Sequence, residues 1–202
     1  MNTPIDIVLA GVGGQGSVLA TAVIARAAVL AELPVVTSEV HGMSQRGGVV
    51  VTAVRVGRGD AAPRVPEGGA DFLVAFEPLE ALRHLEMLRP GGVAIVAEDG
   101  ILPSVEALRD ASYPEDPAGL MTDRGVRVVS VPADGIAREL GHPRLAGTVL
   151  LGVLSLYLDL PVDAWRGAIA QTVPVQTLES NFAALARGAE WRILREKAVT
   201  AF

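Results

Sequence analysis

Over the first two thirds of the chain, apolar residues come in short runs broken by glycine and proline; over the last third they recur at helical spacing. Residues 5–10 form an apolar run ending at glycine, the pattern of a strand buried on both faces. From 15 to 31 the sequence turns Ala-rich, with Val18, Ala22, Ala25 and Val29 at helical spacing, and Leu33-Pro34 ends that helix. Residues 35–38 and 49–56 predict two strands, the second strongly β-branched (VVVTAVRV), joined by a polar loop over 40–48. Residues 57–69 read as loop, 72–76 as a buried strand, 79–88 as helix and 93–97 as strand after the Pro90-Gly91-Gly92 turn. The stretch 98–124 is irregular, with prolines at 103, 114 and 117. A strand at 126–131 and a helix at 133–140 follow. Beyond Gly141-His142-Pro143 the pattern predicts helices at about 145–159, 162–170, 175–187 and 189–199. Together these elements predict an α/β fold: a mixed sheet flanked by helices over about 1–140, with a helical C-terminal layer over 141–202.

Composition narrows the chemistry. Among 202 residues, 17 Lys and Arg face 23 Asp and Glu, for a net charge of −6, which argues against binding a nucleic-acid backbone. There is no cysteine, hence no disulfide, thiolate zinc site, Cys nucleophile or iron–sulfur cluster in this polypeptide. No metal-ligating cluster stands out. Half of the residues are hydrophobic but only 4% are aromatic, so the apolar mass is Ala, Val and Leu. The N-terminal segment lacks a basic n-region. The most apolar stretch, 145–160, is interrupted by Gly147, Gly152 and Asp159 and falls short of a membrane span. The expectation is a cytoplasmic chain with that helix in the core or covered by a partner, and with Trp165, Phe182 and Trp191 as core anchors.

GVGGQG at 11–16 fits G-x-G-x-x-G between a predicted strand and helix, which makes the sheet Rossmann-like. Gly11 would allow the tight turn, Gly13 the approach of a phosphate and Gly16 close helix–strand packing, with the helix N-terminus facing an anion. Glu39, at the end of the second strand, occupies the place of a ribose-binding acid. Against a dinucleotide site, the third strand begins too soon after the second for a crossover helix, so an antiparallel or irregular return is expected. Arg46 beside two glycines also suits a phosphate better than a ribose diol. A plain tight turn remains the alternative.

SEVHGMSQRGG at 38–48 gathers a carboxylate, an imidazole, a guanidinium, hydroxyls, an amide and glycines between two strands. Such a cluster lies where a doubly wound sheet binds its ligand. Ordinary ion pairing of Glu39 with Arg46 and strand capping by His41 are the competing readings. GVGGQG followed by SEVHGMSQRGG resembles the gamma-type subunits of 2-oxoacid:ferredoxin oxidoreductases, and most resembles the beta subunit of the indolepyruvate branch. VPADGIARELGHPRLAGTVLLGVL at 131–154 and NFAALARG at 181–188 extend the resemblance. Departures are His142 and Gly147 where the family usually has asparagine, and Leu185 in place of phenylalanine.

The resemblance implies that residues 1–202 form one gamma-type domain of the pyruvate/ketoisovalerate oxidoreductase kind. It further implies an accessory subunit of a thiamine diphosphate-dependent enzyme that converts a 2-oxoacid to acyl-coenzyme A and passes electrons to ferredoxin. Thiamine diphosphate and the iron–sulfur clusters would reside in a large alpha subunit. This chain would contact coenzyme A through Gly11, Gly13, Gly14, Gln15, Gly16, Ser38, Ser44, Gln45, Arg46, Gly47 and Gly48. Glu39 and His41 would orient the loop, and no residue is assigned as catalytic. Two other readings stay open: a free-standing NAD- or flavin-binding oxidoreductase, and a non-catalytic structural module of the same fold.

Overall fold

The computed structural model describes residues 4–41, 48–57, 62–99 and 113–200. The expected loop residues Ser44, Gln45, Arg46 and Gly47 lie outside these, as does most of 98–112. Six strands form one sheet in the order β2-β3-β1-β4-β5-β6. They are β1 (Ile5–Val12), β2 (Val35–His41), β3 (Val49–Val56), β4 (Ala70–Ala75), β5 (Leu88–Ala97) and β6 (Arg127–Val131). β1, β4, β5 and β6 run parallel; β3 is antiparallel to both β1 and β2. The expected antiparallel return therefore places β3 between β1 and β2.

Strand period two sorts the apolar residues onto two faces. Ile7, Leu9, Phe72, Val74, Ile95 and Val129 point into the larger core; Val8, Ala10, Leu73, Ala75 and Val96 point into the smaller one. α1 (Ser17–Leu30), α4 (Ala133–Glu139), α5 (Ala146–Ser155) and α6 (Val162–Thr172) cover the first, with α7 (Leu178–Thr200) outside them. The short α2 (Pro78–Arg83) and α3 (Pro117–Thr122) cover the second. α5 is buried all round from Gly147 to Leu154, so its apolar surface belongs to the core of the chain itself. Trp165 is 1% exposed. Phe182 and Trp191 are half-buried, each under a guanidinium, Arg166 and Arg195 respectively.

The expected boundaries differ most at three places. The helix expected over 79–88 ends at Arg83, a single 3-10 turn follows, and the strand begins at Leu88 rather than at 93. Within 98–124, expected to be irregular, α3 starts at Pro117, with the Asp116 side chain accepting from the Gly119 N–H at 2.8 Å. The break expected near residue 188 is absent: α7 runs through it as one helix of 23 residues. Gly188 serves contact rather than termination. A Cβ there would collide with the Val149 carbonyl, and one at Gly152 with the Leu185 carbonyl, so the two glycines let α5 and α7 cross backbone to backbone. Thr148 donates to Asn181 Oδ1 at 2.7 Å across the same crossing.

Candidate functional site

The β1–α1 turn is shaped by glycine chemistry, with duties different from those the fingerprint assigns. Gly14 (φ 101°) and Gly16 (φ 91°) sit in the left-handed region. Close packing falls to Gly11, where a Cβ would lie 3.0 Å from both Phe76 Cβ and Gln15 Oε1. At Gly16 a Cβ would meet nothing within 4 Å, so the expected helix–strand contact is not its role. Gln15 works inward: Oε1 accepts from the Val12 N–H at 2.7 Å, and Nε2 donates to the Phe76 carbonyl at 2.9 Å. Its amide thus ties the end of β1 to the end of β4.

The Gly13 N–H donates to the Gly48 carbonyl at 2.9 Å, and the Gln15 N–H to the Val12 carbonyl at 3.1 Å. Those bonds account for two of the turn's donors. Gly16 caps α1 without a side-chain hydrogen bond, and the first turn of α1 carries no acidic residue. The first-turn N–H groups of a helix have no intrahelical acceptor, so this end of α1 presents partial positive charge.

Of the second predicted cluster, Gly48 is brought to the turn, and Ser38 and Glu39 lie on β2 in register with Ala53 and Thr52 of β3. Ser38 is half-buried and Glu39 exposed. His41 ends β2, opposite Val50. Because β3 intervenes, Glu39 stands two strand spacings from β1, about 10 Å at the usual separation. In a dinucleotide fold the ribose-binding acid is on the strand next to β1. The NAD-like use of Glu39 is therefore not supported by this sheet order.

The turn opens instead toward the carboxyl ends of the parallel strands. A crevice of about 280 Å³ there has Gly14 and Gln15 on one side, Phe76, Ala97, Ala146 and Leu150 as apolar floor, and Asp99, Asp134, Arg138 and Arg144 around it. Burial, aided by the nearby Asp99 charge and opposed by Arg138, raises the Asp134 carboxyl above its ordinary pKa. A second cavity of about 270 Å³, lined by Leu19, Leu145, Val173 and Pro174 among others, meets the crevice at Arg144. None of these four charged residues was expected at the site from sequence. The available signal was positional: Asp99 and Asp134 follow the ends of strands whose carboxyl ends form the ligand edge of such sheets. The side chain of His142, one of the departures, accepts from the Arg144 N–H at 3.1 Å and so holds the turn that carries Arg144. Gly147, another, packs against the Phe76 ring.

A further pair of carboxylates lies on the opposite face. Glu77 caps α2 through the Glu80 N–H at 2.9 Å and accepts from the Tyr113 hydroxyl at 2.5 Å. Burial and that bond raise the Tyr113 hydroxyl well above its ordinary pKa. Among the described residues, no helix is long and apolar enough to cross a membrane.

An α/β sheet with a crevice at its strand ends defines the class. Residues 6–191 match the family model described as pyruvate ferredoxin/flavodoxin oxidoreductase. The chain belongs to that family, as a gamma-type subunit of a multi-subunit 2-oxoacid:ferredoxin oxidoreductase. It is 39% identical over 188 residues to the indolepyruvate oxidoreductase subunit IorB of Archaeoglobus fulgidus, covering 91% of this chain and 93% of that one. Its fold matches the gamma subunit of the keto/oxoacid ferredoxin oxidoreductase of Geobacter sulfurreducens, with a TM-score of 0.69 and 23% identity over 94% of this chain and 99% of the other. It also matches a 2-oxoglutarate:ferredoxin oxidoreductase from Magnetococcus marinus with 2-oxoglutarate, coenzyme A and succinyl-CoA bound. There the TM-score is 0.73 and the identity 21%, over 96% of this chain and 32% of the longer one.

Proposed function

We propose that this chain is the accessory subunit of an indolepyruvate or related arylpyruvate:ferredoxin oxidoreductase, and that it contributes a contact to coenzyme A. The thiamine diphosphate and iron–sulfur clusters would belong to a large partner subunit, in keeping with a chain that has no thiol to ligate iron. The identity to the A. fulgidus subunit supports the indolepyruvate branch. The observation that carries the coenzyme contact is the crevice itself, where a glycine turn, a helix N-terminus, Arg138 and Arg144 converge at the strand ends. When bound, coenzyme A supplies the thiol that accepts the acyl group.

The contribution of this chain is to bind and orient. Gly14 and Gly16 shape the turn, Gln15 holds it against β4, and the guanidiniums offer charge-assisted hydrogen bonds to phosphate. Arg46, with Ser44, Gln45 and Gly47 beside it, joins this proposal through sequence alone. His41 and Glu39 are proposed to orient that loop toward the partner. The complex would work in the cytoplasm.

The test is co-expression with a thiamine-type partner, followed by dye reduction dependent on both a 2-oxoacid and coenzyme A. Activity is expected only in the copurified complex, with a higher kcat/KM for indolepyruvate than for pyruvate or 2-oxoglutarate. Arg46→Met is expected to raise KM for coenzyme A about tenfold, equivalent to one lost charge-assisted contact, and to leave KM for the oxoacid unchanged. Dye reduction by the chain alone, with a bound flavin or nicotinamide, would overturn the reading.

A further inference from the structure

Among the described residues, β2 is an outer strand of the sheet and pairs with β3 alone. Its ladder to β3 runs unbroken from Val35 to His41, and its sequence, VVTSEVH, contains no Pro, Lys or Arg. Bulges, prolines and basic side chains are the devices that ordinarily keep an edge strand from pairing further. The opposite edge is better defended: β6 has five residues and opens on the exposed Arg127. On β2 the alternation of hydrogen bonds is set by the Gly57 N–H, which donates to the Pro34 carbonyl at 2.7 Å. Antiparallel pairing alternates by residue, so Val36, Ser38 and Val40 bond to β3. The N–H and C=O groups of Val35, Thr37 and the odd-numbered positions after them then point to the open side. Val36, Ser38 and Val40 share the sheet face of Val51 and Ala53, and Val40 is 52% exposed there.

We infer that β2 is a self-association edge, taken by β2 of a second copy of this chain running antiparallel across a two-fold axis at Ser38. The strand is complementary to itself in that register. Ser38 faces Ser38 of the second copy, Val36 faces Val40, Thr37 faces Glu39 and Val35 faces His41. The outward backbone groups meet at the Thr37–Glu39 and Val35–His41 positions, for about eight hydrogen bonds along the seam. Val36–Val40 and Ser38–Ser38 fall at the closely spaced positions between them, so each exposed Val40 gains an apolar neighbour. The Glu39 carboxylate lies opposite a threonine, and no like charges oppose each other. Centring the axis on Glu39 would set carboxylate against carboxylate, and centring it on Thr37 would shorten the seam to residues 35–39. The chosen register joins the six strands of each copy into one sheet and sets the two strand-end crevices at its opposite margins. It is independent of the coenzyme contact proposed above.

Sedimentation equilibrium of the full chain is expected to show a monomer–dimer equilibrium. Thr37→Glu, which sets like charges opposite one another on both halves of the seam, is expected to weaken it about tenfold. Thr37→Lys is expected to tighten it about threefold, and by less in added salt. Thr37 is exposed, and circular dichroism of each variant verifies its fold. The register is tested by single cysteines, since the chain has none of its own. On oxidation Ser38→Cys is expected to give disulfide-linked dimers, both alone and in the complex copurified with the thiamine-type partner, because closely spaced strand positions lie about 4.5 Å apart between Cα atoms. Val40→Cys, on the same face, puts the two positions roughly 14 Å apart and is expected not to cross-link. A chain that stays monomeric at every accessible concentration would overturn the inference. So would a dimer indifferent to the charge at Thr37, or one that cross-links as readily through Val40→Cys as through Ser38→Cys. Loss of the Ser38→Cys link in the copurified complex would give the edge to the partner subunit instead, and the inference would fall.

Discussion

At the amino ends of the strands, Arg55 grips Asp6 through two hydrogen bonds of 2.9 and 3.0 Å and donates also to the carbonyls of Ala62 and Arg64. Arg89 closes on Asp71, which in turn accepts from the Asp6 N–H at 2.8 Å. At the carboxyl ends, Asp99, Asp134, Arg138 and Arg144 share a crevice of about 280 Å³ without pairing among the described residues. The difference separates two uses of charge. Asp6 and Arg55 face each other across β1 and β3, mutually satisfied and nearly dry, so their bond holds the sheet register. The bond to Asp6 also keeps the Arg55 guanidinium above its ordinary pKa against the opposing effect of burial. At the carboxyl ends Asp134 feels Asp99 and Arg138 electrostatically, but no such closed pair forms among the described residues.

That contrast can be broken most forcefully at Asp6. Asp6→Ala leaves the Arg55 guanidinium buried without its countercharge and should cost about 3–5 kcal/mol in urea unfolding, with coenzyme affinity unchanged. A loss below about 1 kcal/mol would mean that the amino end is no more structural than an exposed pair. Next in size is Gln15→Ala, which abandons the Val12 N–H and the Phe76 carbonyl. About 2 kcal/mol of stability should be lost together with coenzyme affinity, because the latch serves fold and turn at once.

A smaller effect, with a definite sign, belongs to Asp134. Its carboxyl is raised by burial and by Asp99, so the folded chain holds that proton more tightly than the unfolded chain does. The cost of ionising it is absent at low pH, grows as pH rises through the ordinary carboxylate range, and persists above its raised value. The Tm of Asp134→Asn relative to wild type should therefore rise between about pH 4 and pH 7. A falling difference would mark Asp134 as a structural ion-pair partner, and a constant one would mean that folding does not shift its carboxyl; either would erase the contrast. The smallest change is expected at the amino end's exposed pair: Arg89 is half exposed, so Arg89→Ala should cost about 1 kcal/mol or less, and less still in added salt.

Much of the fold was legible along the chain. Runs such as residues 5–10 and VVVTAVRV can bury both faces only as interior strands, and the short β2–β3 connection left no room for a crossover helix. Gly188 misled because a glycine that ends a helix and one that admits a neighbouring helix look alike until the neighbour is in place. The candidate site was legible in part. Local sequence marked Gly11 to Gly16 as a turn, yet the close contact belongs to Gly11 and the inward hydrogen bonds to Gln15. Arg138 and Arg144 carried no local sign, since a charged residue on a short helix or turn is ordinarily a solvated one.

By itself, the sequence determined which segments are buried strands, that residues 11–16 turn tightly into a helix, and that iron–sulfur chemistry needs another chain. These follow from side-chain period, backbone freedom and the absence of thiols, all local properties. Only the tertiary structure decided that β3 stands between β1 and Glu39, that Gly152 meets Gly188, and that four charges from separate segments ring one crevice. Strand order and helix crossing arise from competition among distant surfaces for the same partners, and no single stretch of chain contains that outcome.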